Sequence, residues 1–175
     1  MEHGAAGGLA FLHPLLAWLE GGALGRAMRQ EAFLFPAVEI IHILGFALLI
    51  GAIAVLDLRL LGWRSTLLPP AVLPAGLLAR LVLPVSITGL LLAIPSGLML
   101  LATEATSIGV NTAFLVKLGL LALALLNILL LHRGIWRHIA EWESAAPPAR
   151  VRVAALASLL LWVGILIAGR MIAYV

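Results

Sequence analysis

The chain has 175 residues, of which 63% are hydrophobic and only 11% charged, and it contains no cysteine. Its mean hydropathy of +1.17 excludes a water-soluble globule of ordinary composition, and the missing cysteines exclude disulfides, thiolate metal sites and cysteine nucleophiles. The formal charge of +3 comes from few residues, placed at the ends of apolar runs where they orient a chain in a bilayer, so nothing supports a nucleic-acid partner.

Residues 1–8 are small and read as a loose tail. No basic residue precedes the apolar part that follows, and Pro14 interrupts it, which argues against a cleaved signal peptide. From Leu9 to Arg29, Leu12, Leu15, Leu16, Leu19 and Leu24 mix with Glu20, Gly21, Gly22, Gly25, Arg26 and Arg29. This segment is too short in apolar residues to cross a bilayer. It reads as one or two interfacial helices, with Trp18 at headgroup level and the arginines turned to water. Residues 1–32 are thus a tail and interfacial segment, and residues 33–175 a four-span domain.

The first span runs over about residues 33–56, interrupted only by Glu39 and His42. About 24 residues at about 1.5 Å each give roughly 36 Å, enough to cross the hydrocarbon core. Pro36 falls in its first turns, where a missing N–H is tolerated. Asp57 and Arg59 read as a charged stop, and the loop to about Arg80, with Trp63, Arg64, Pro69, Pro70 and Pro74, as a connector. The second span, 81–103, holds Pro84, Ser86, Thr88, Gly89, Pro95, Ser96 and Gly97, small or hydroxylated residues that let backbones approach; a kink is expected near Pro95. After a short polar turn the third span, 113–132, carries Lys117 near its start, Asn127 in its second half and His132 at its exit. Trp136 and Trp142 read as interface anchors, with His138 between them. The fourth span, 153–174, carries Arg170 near its end. The fold class is all-α, an integral membrane four-helix bundle with an N-terminal interfacial helix.

The loop between spans one and two carries Arg59, Arg64 and Arg80, and that between three and four Arg133, Arg137, Arg150 and Arg152, whereas the loop between two and three has only Glu104. The positive-inside rule places the first and third loops in the cytoplasm and both termini in the periplasm of a bacterial inner membrane.

In that orientation Glu39, His42, Lys117 and Arg170 all fall in the outer half. Glu39 and His42 are three residues apart and share a helix face; His42 lies about 13 Å below the outer boundary. Each of the four would be costly unpaired in hydrocarbon, so three helices place ionisable groups at one level for a reason. One account is packing, with a Glu39–Lys117 ion pair and a snorkelling Arg170. The other is haem b held by His42, with Arg170 or Lys117 meeting propionates, or Lys117 or Met99 completing the iron. His132 lies about 30 Å from the outer end of its span, too deep to pair with His42, and would serve only a second, inner haem. A copper or zinc site from His42, Glu39 and Met99 is short of ligands. Proton or ion transport needs polar groups throughout, and the inner half offers only Asn127.

The segments E-I-I-H-I-L-G (39–45), D-L-R-L-L-G (57–62), N-T-A-F-L-V-K (111–117), A-L-L-N (124–127) and W-V-G-I-L-I-A-G-R-M-I-A-Y (162–174) resemble a bacterial family of small four-span membrane proteins of unknown function, over about residues 18–175. More distantly, the histidine of span one and the lysine and asparagine of span three are similar to the copper-resistance protein D family. His42 and Lys117 are also similar to residues of the small membrane protoporphyrinogen oxidases that carry haem b, a resemblance that implies haem at His42 with Lys117 nearby. Ile128 follows the asparagine where the copper family has an arginine, and extracellular His/Met clusters are absent. The expected function is a haem b-binding or redox-linked membrane protein, alone or as a subunit of a larger complex. A structural or accessory subunit and an oligomeric small-molecule or ion carrier are the alternatives, and the expected partners are lipid, other membrane subunits or further copies of the chain.

Overall fold

A computed structural model of the chain describes residues 12–63, 74–134, 139 and 147–175. The described residues form seven helices and no strand: α1 (His13–Gly21), α2 (Ala23–Gln30), α3 (Leu34–Leu60), α4 (Ala75–Leu101), α5 (Ala105–Ile108), α6 (Thr112–Arg133) and α7 (Ala149–Met171). Of these α3, α4, α6 and α7 are long and apolar enough to cross a membrane, and the protein is a four-helix membrane bundle. The connector at 64–73, the anchors Trp136 and Trp142, and His138 lie outside the described residues.

The helices run past the apolar limits read from the sequence. Hydropathy finds the part of a helix that needs lipid, whereas backbone hydrogen bonding continues until the chain can no longer supply it. So α3 continues through Asp57 and Arg59 to Leu60 and stops before Gly62, whose φ of 90° is left-handed. Pro74 and Pro148 precede α4 and α7, which places Arg80, Arg150 and Arg152 on helices rather than in loops. At its far end α7 stops at Met171, short of Tyr174. Asn111 caps α6, its side-chain oxygen accepting from the Phe114 N–H at 3.1 Å. The α4 helix is continuous through Pro84 and Pro95.

Packing is most extensive between α3 and α4 and next between α6 and α7, and α3 against α7 joins the two pairs. All four helices are apolar on every side, so a polar face does not tell which side turns inward. Small residues do: the buried positions Ser86, Gly89, Ala93 and Ser96 of α4 recur at intervals of three and four. At their centre the backbones of α3 and α4 touch. A Cβ on Gly45 would lie 2.8 Å from the Ala93 nitrogen, and one on Gly89 2.6 Å from the Gly45 carbonyl oxygen. Two apolar clusters complete the interior. Leu49, Ile53, Ala124, Trp162 and Ile165 fill the middle, and Leu56, Leu60, Leu78, Val151 and Ala155 the end away from α1.

The N-terminal helices form a cap on the other end. The Glu20 carboxylate accepts from Thr106 Oγ1 at 2.6 Å and from the Thr106 N–H at 2.8 Å. Arg29 donates to the Thr103 carbonyl at 2.7 Å and to that of Glu20 at 2.9 Å, and Arg26 donates to the Gly21 carbonyl. Both arginines are exposed to solvent, and they also serve backbone carbonyls freed where helices end. Trp18 is 72% exposed.

Two outcomes follow from this packing. Gly89→Leu forces a side chain into the α3 backbone and should lower stability by about 1–3 kcal/mol or more, read as a fall in the thermal unfolding midpoint in detergent; Gly51→Leu, at a position with open space around it, should not. The Thr106 hydroxyl and N–H, aided by Arg29, hold the Glu20 carboxyl below its ordinary value of 4.5. Its contribution to the cap is therefore present above pH 4.5 and lost as pH falls through the lower folded value. Hydrogen exchange at α5, compared between wild type and Glu20→Gln, should differ at neutral pH and converge in acid.

Candidate functional site

The site begins at the α3–α4 contact. One turn before Gly45, His42 is drawn against α4, its Nδ1 lying 3.0 Å from the Ala93 carbonyl oxygen and 3.0 Å from Ser96 Oγ. The Ser96 hydroxyl donates to the Leu92 carbonyl at 2.6 Å, so its proton is committed and toward His42 it acts as an acceptor. Both neighbours of Nδ1 thus accept, and the hydrogen-bond network assigns the ring proton to Nδ1. Nε2 has no hydrogen-bond partner among the described residues. The ring meets Phe46 edge-on, with centroids 5.0 Å apart. Gly97 makes room for it: a Cβ there would lie 2.9 Å from Cε1.

His42 lines a cleft with two lobes. One, of about 430 Å³, is bounded by Phe35, Leu101, Thr103, Glu104, Ile108 and Phe114 and faces the cap end. The other, of about 510 Å³, is apolar and runs along Ile43, Phe46, Ile50, Ile165 and Leu166. Glu39, His42, Leu100, Lys117, Gly169 and Arg170 line both. Each lobe lies in the size range of a cofactor or small-molecule site.

The four ionisable residues singled out in the sequence therefore border one cavity, though not as the expected ion pair. Glu39 and Lys117 do not approach within the 4.0 Å of a salt bridge, and Glu39 has no hydrogen bond among the described residues. The reason lies in the neighbours: the Lys117 stem crosses Gly169, where a Cβ would touch Nζ at 3.5 Å, and its ammonium sits 5.3 Å from the Phe46 ring centroid. Arg170 donates to the Tyr174 hydroxyl at 2.8 Å and covers that ring at 5.1 Å. Met99 borders neither lobe; it is two residues, about 200°, around α4 from Gly97. His132 is fifteen residues beyond Lys117 on α6, about 22 Å along the helix axis. Among the described residues no group of three or more His, Asp or Glu could hold a metal ion.

Two features escape a reading of the sequence. Ser96 is visible only as a small helix-packing residue, not as a partner of His42. Asp57, read as a charged stop, is 4% exposed and receives a side-chain hydrogen bond from Ser158 of α7. The end of the bundle away from the cap therefore holds Asp57 and Ser158 as well as Asn127, which donates to the Ala154 carbonyl at 2.9 Å. The pointer to Asp57 is its spacing: fifteen residues after His42 it returns to within about 60° of the same helix face.

The family described as "Family of unknown function (DUF6644)" matches residues 15–175. The chain belongs to this family. No curated protein and no solved structure matches it, so the likenesses to copper-resistance and protoporphyrinogen oxidase families gain no support from these comparisons. For a DUF6644 member, then, the reading of the cleft rests on its own residues.

Gly97→Val should push the imidazole off Ala93 and Ser96, costing about 1–3 kcal/mol of overpacking. Nitrogen-15 histidine NMR should lose the Nδ1–H signal of His42 in this variant, and thermal unfolding should report the cost.

Proposed function

We propose that the cleft binds haem b, with His42 Nε2 holding the iron, and that the protein is a redox-linked component of the membrane. The observation that carries this reading is the Nδ1–H of His42 shared between the Ala93 carbonyl and the Ser96 hydroxyl. A second hydrogen bond of this kind fixes the tautomer and raises the basicity of an imidazole ligand. The rest of the cleft fits a macrocycle with an apolar body and anionic edge. Ile43, Phe46, Ile50 and Leu166 would meet its body, Gly97 and Gly169 leave the walls low, and Lys117 and Arg170 border both lobes as partners for propionates. When bound, haem supplies a one-electron carrier; the residues of this chain hold, orient and desolvate it.

In this reading the cap faces the periplasm of a bacterial inner membrane. The exposed Arg80, Arg133, Arg150 and Arg152 gather at the other end, as cytoplasmic arginines do. At the cap end Arg29 donates to a carbonyl at a helix terminus.

A structural or accessory subunit is the second reading, favoured by the internal aromatic partners that Lys117 and Arg170 already have. Purification from membranes of haem-replete cells separates the two. A Soret band that disappears in His42→Ala, and haem retention weakened roughly tenfold or more in Ser96→Ala, is the expected outcome. A colourless wild-type preparation that also takes up no added haem overturns it in favour of the accessory role.

A further inference from the structure

We propose that Asp57 is a proton-binding site at the end of the bundle opposite the cleft, holding a proton that it exchanges with the adjoining water. The site is independent of the cleft and of what the cleft holds. Asp57 is 4% exposed and sits on α3 between Leu56 and Leu60 of the apolar cluster. Ser158 supplies a hydrogen bond, while Oδ2 is buried with no hydrogen-bond partner among the described residues.

Leu56 and Leu60, its neighbours on α3, belong to a cluster with Ala75, Leu78 and Ala79 of α4 and Val151 and Ala155 of α7, and Ser158 is the polar partner found for Asp57 among the described residues. The Asn127 amide of α6 is committed to Ala154. Arg80, Arg133, Arg150 and Arg152 are exposed. Arg59 is on the same helix but about 200° around it, and its Nε is itself buried without a partner. Among the described residues no cation comes within the 4.0 Å of an ion pair. An ionised carboxylate here would be a buried charge with no counter-ion among the described residues, whereas the acid is neutral. The route for the proton is short, because α3 ends at Leu60, one turn further on.

Asp57 is the only aspartate in the chain, so carboxyl-labelled carbon-13 aspartate reports on it alone in the unaltered protein. In infrared spectra of the full chain in lipid nanodiscs at neutral pH, the label should shift a protonated C=O stretch, and transfer to D2O should shift that band again. Ser158→Ala should raise its frequency by removing a hydrogen bond. A label found only in the carboxylate stretches at neutral pH, or a protonated band indifferent to prolonged D2O exposure, overturns the proposal.

Discussion

The direct backbone contact between α3 and α4 at Gly45 and Gly89 is the constraint from which the site descends. In a bilayer the lipid chains are as apolar as leucine, so water does not choose which faces of two greasy helices meet; close packing and hydrogen bonds choose. Glycine on both helices allows an approach that any side chain would block. That approach carries Ala93 and Ser96, one and two turns along α4, to hydrogen-bonding distance of His42. A histidine in hydrocarbon has no water to satisfy its ring, and an α4 carbonyl is the nearest substitute. The ring's orientation is thus a consequence of two missing Cβ atoms.

The same logic explains why there is a cleft. α6 leans chiefly on α7, and α7 in turn on α3, so α3 and α6 share few contacts, as where Lys117 meets Phe46. In the middle of the bundle Leu120 and Leu121 reach Trp162 and its neighbours and the interior closes. Toward the cap, Gly169 replaces such a side chain, and the space is left to Lys117 and the two lobes. Small residues thus do opposite things at two places. Against another backbone they bring helices together, and against a long side chain they leave a cavity.

The number of spans, their positions to within a few residues and the common depth of Glu39, His42, Lys117 and Arg170 were legible in the sequence, because hydropathy and a 1.5 Å rise are one-dimensional quantities. Lateral arrangement was not. A helix apolar on all sides carries no stripe pointing inward, so neither the α6–α7 pairing nor the exclusion of Met99 could be read from it. The Glu39–Lys117 pair was a guess about reach, and a neighbouring aromatic ring took the lysine instead. Asp57 was misplaced for a different reason: three residues before a helix end, a charge is normally a boundary marker, and only the inward face of α3 makes it a buried group.

Along α3 the polar groups stand at the two ends of one buried face, His42 and Asp57, about 22 Å apart on the helix axis. Between them lie Leu49, Ile53 and Trp162, all buried, and Trp162 is 2% exposed with an indole N–H that finds no acceptor. Such a plug matters for the choice among membrane functions. An ion or a proton crossing this bundle would need a succession of polar groups or waters, and the middle cluster supplies hydrocarbon and one stranded donor. Electrons have no such requirement, since they need only a carrier held at a fixed place in a medium of low polarity. Among the described residues, the middle of the bundle therefore presents apolar side chains and one unpaired indole N–H between its two polar ends, rather than a continuous polar path.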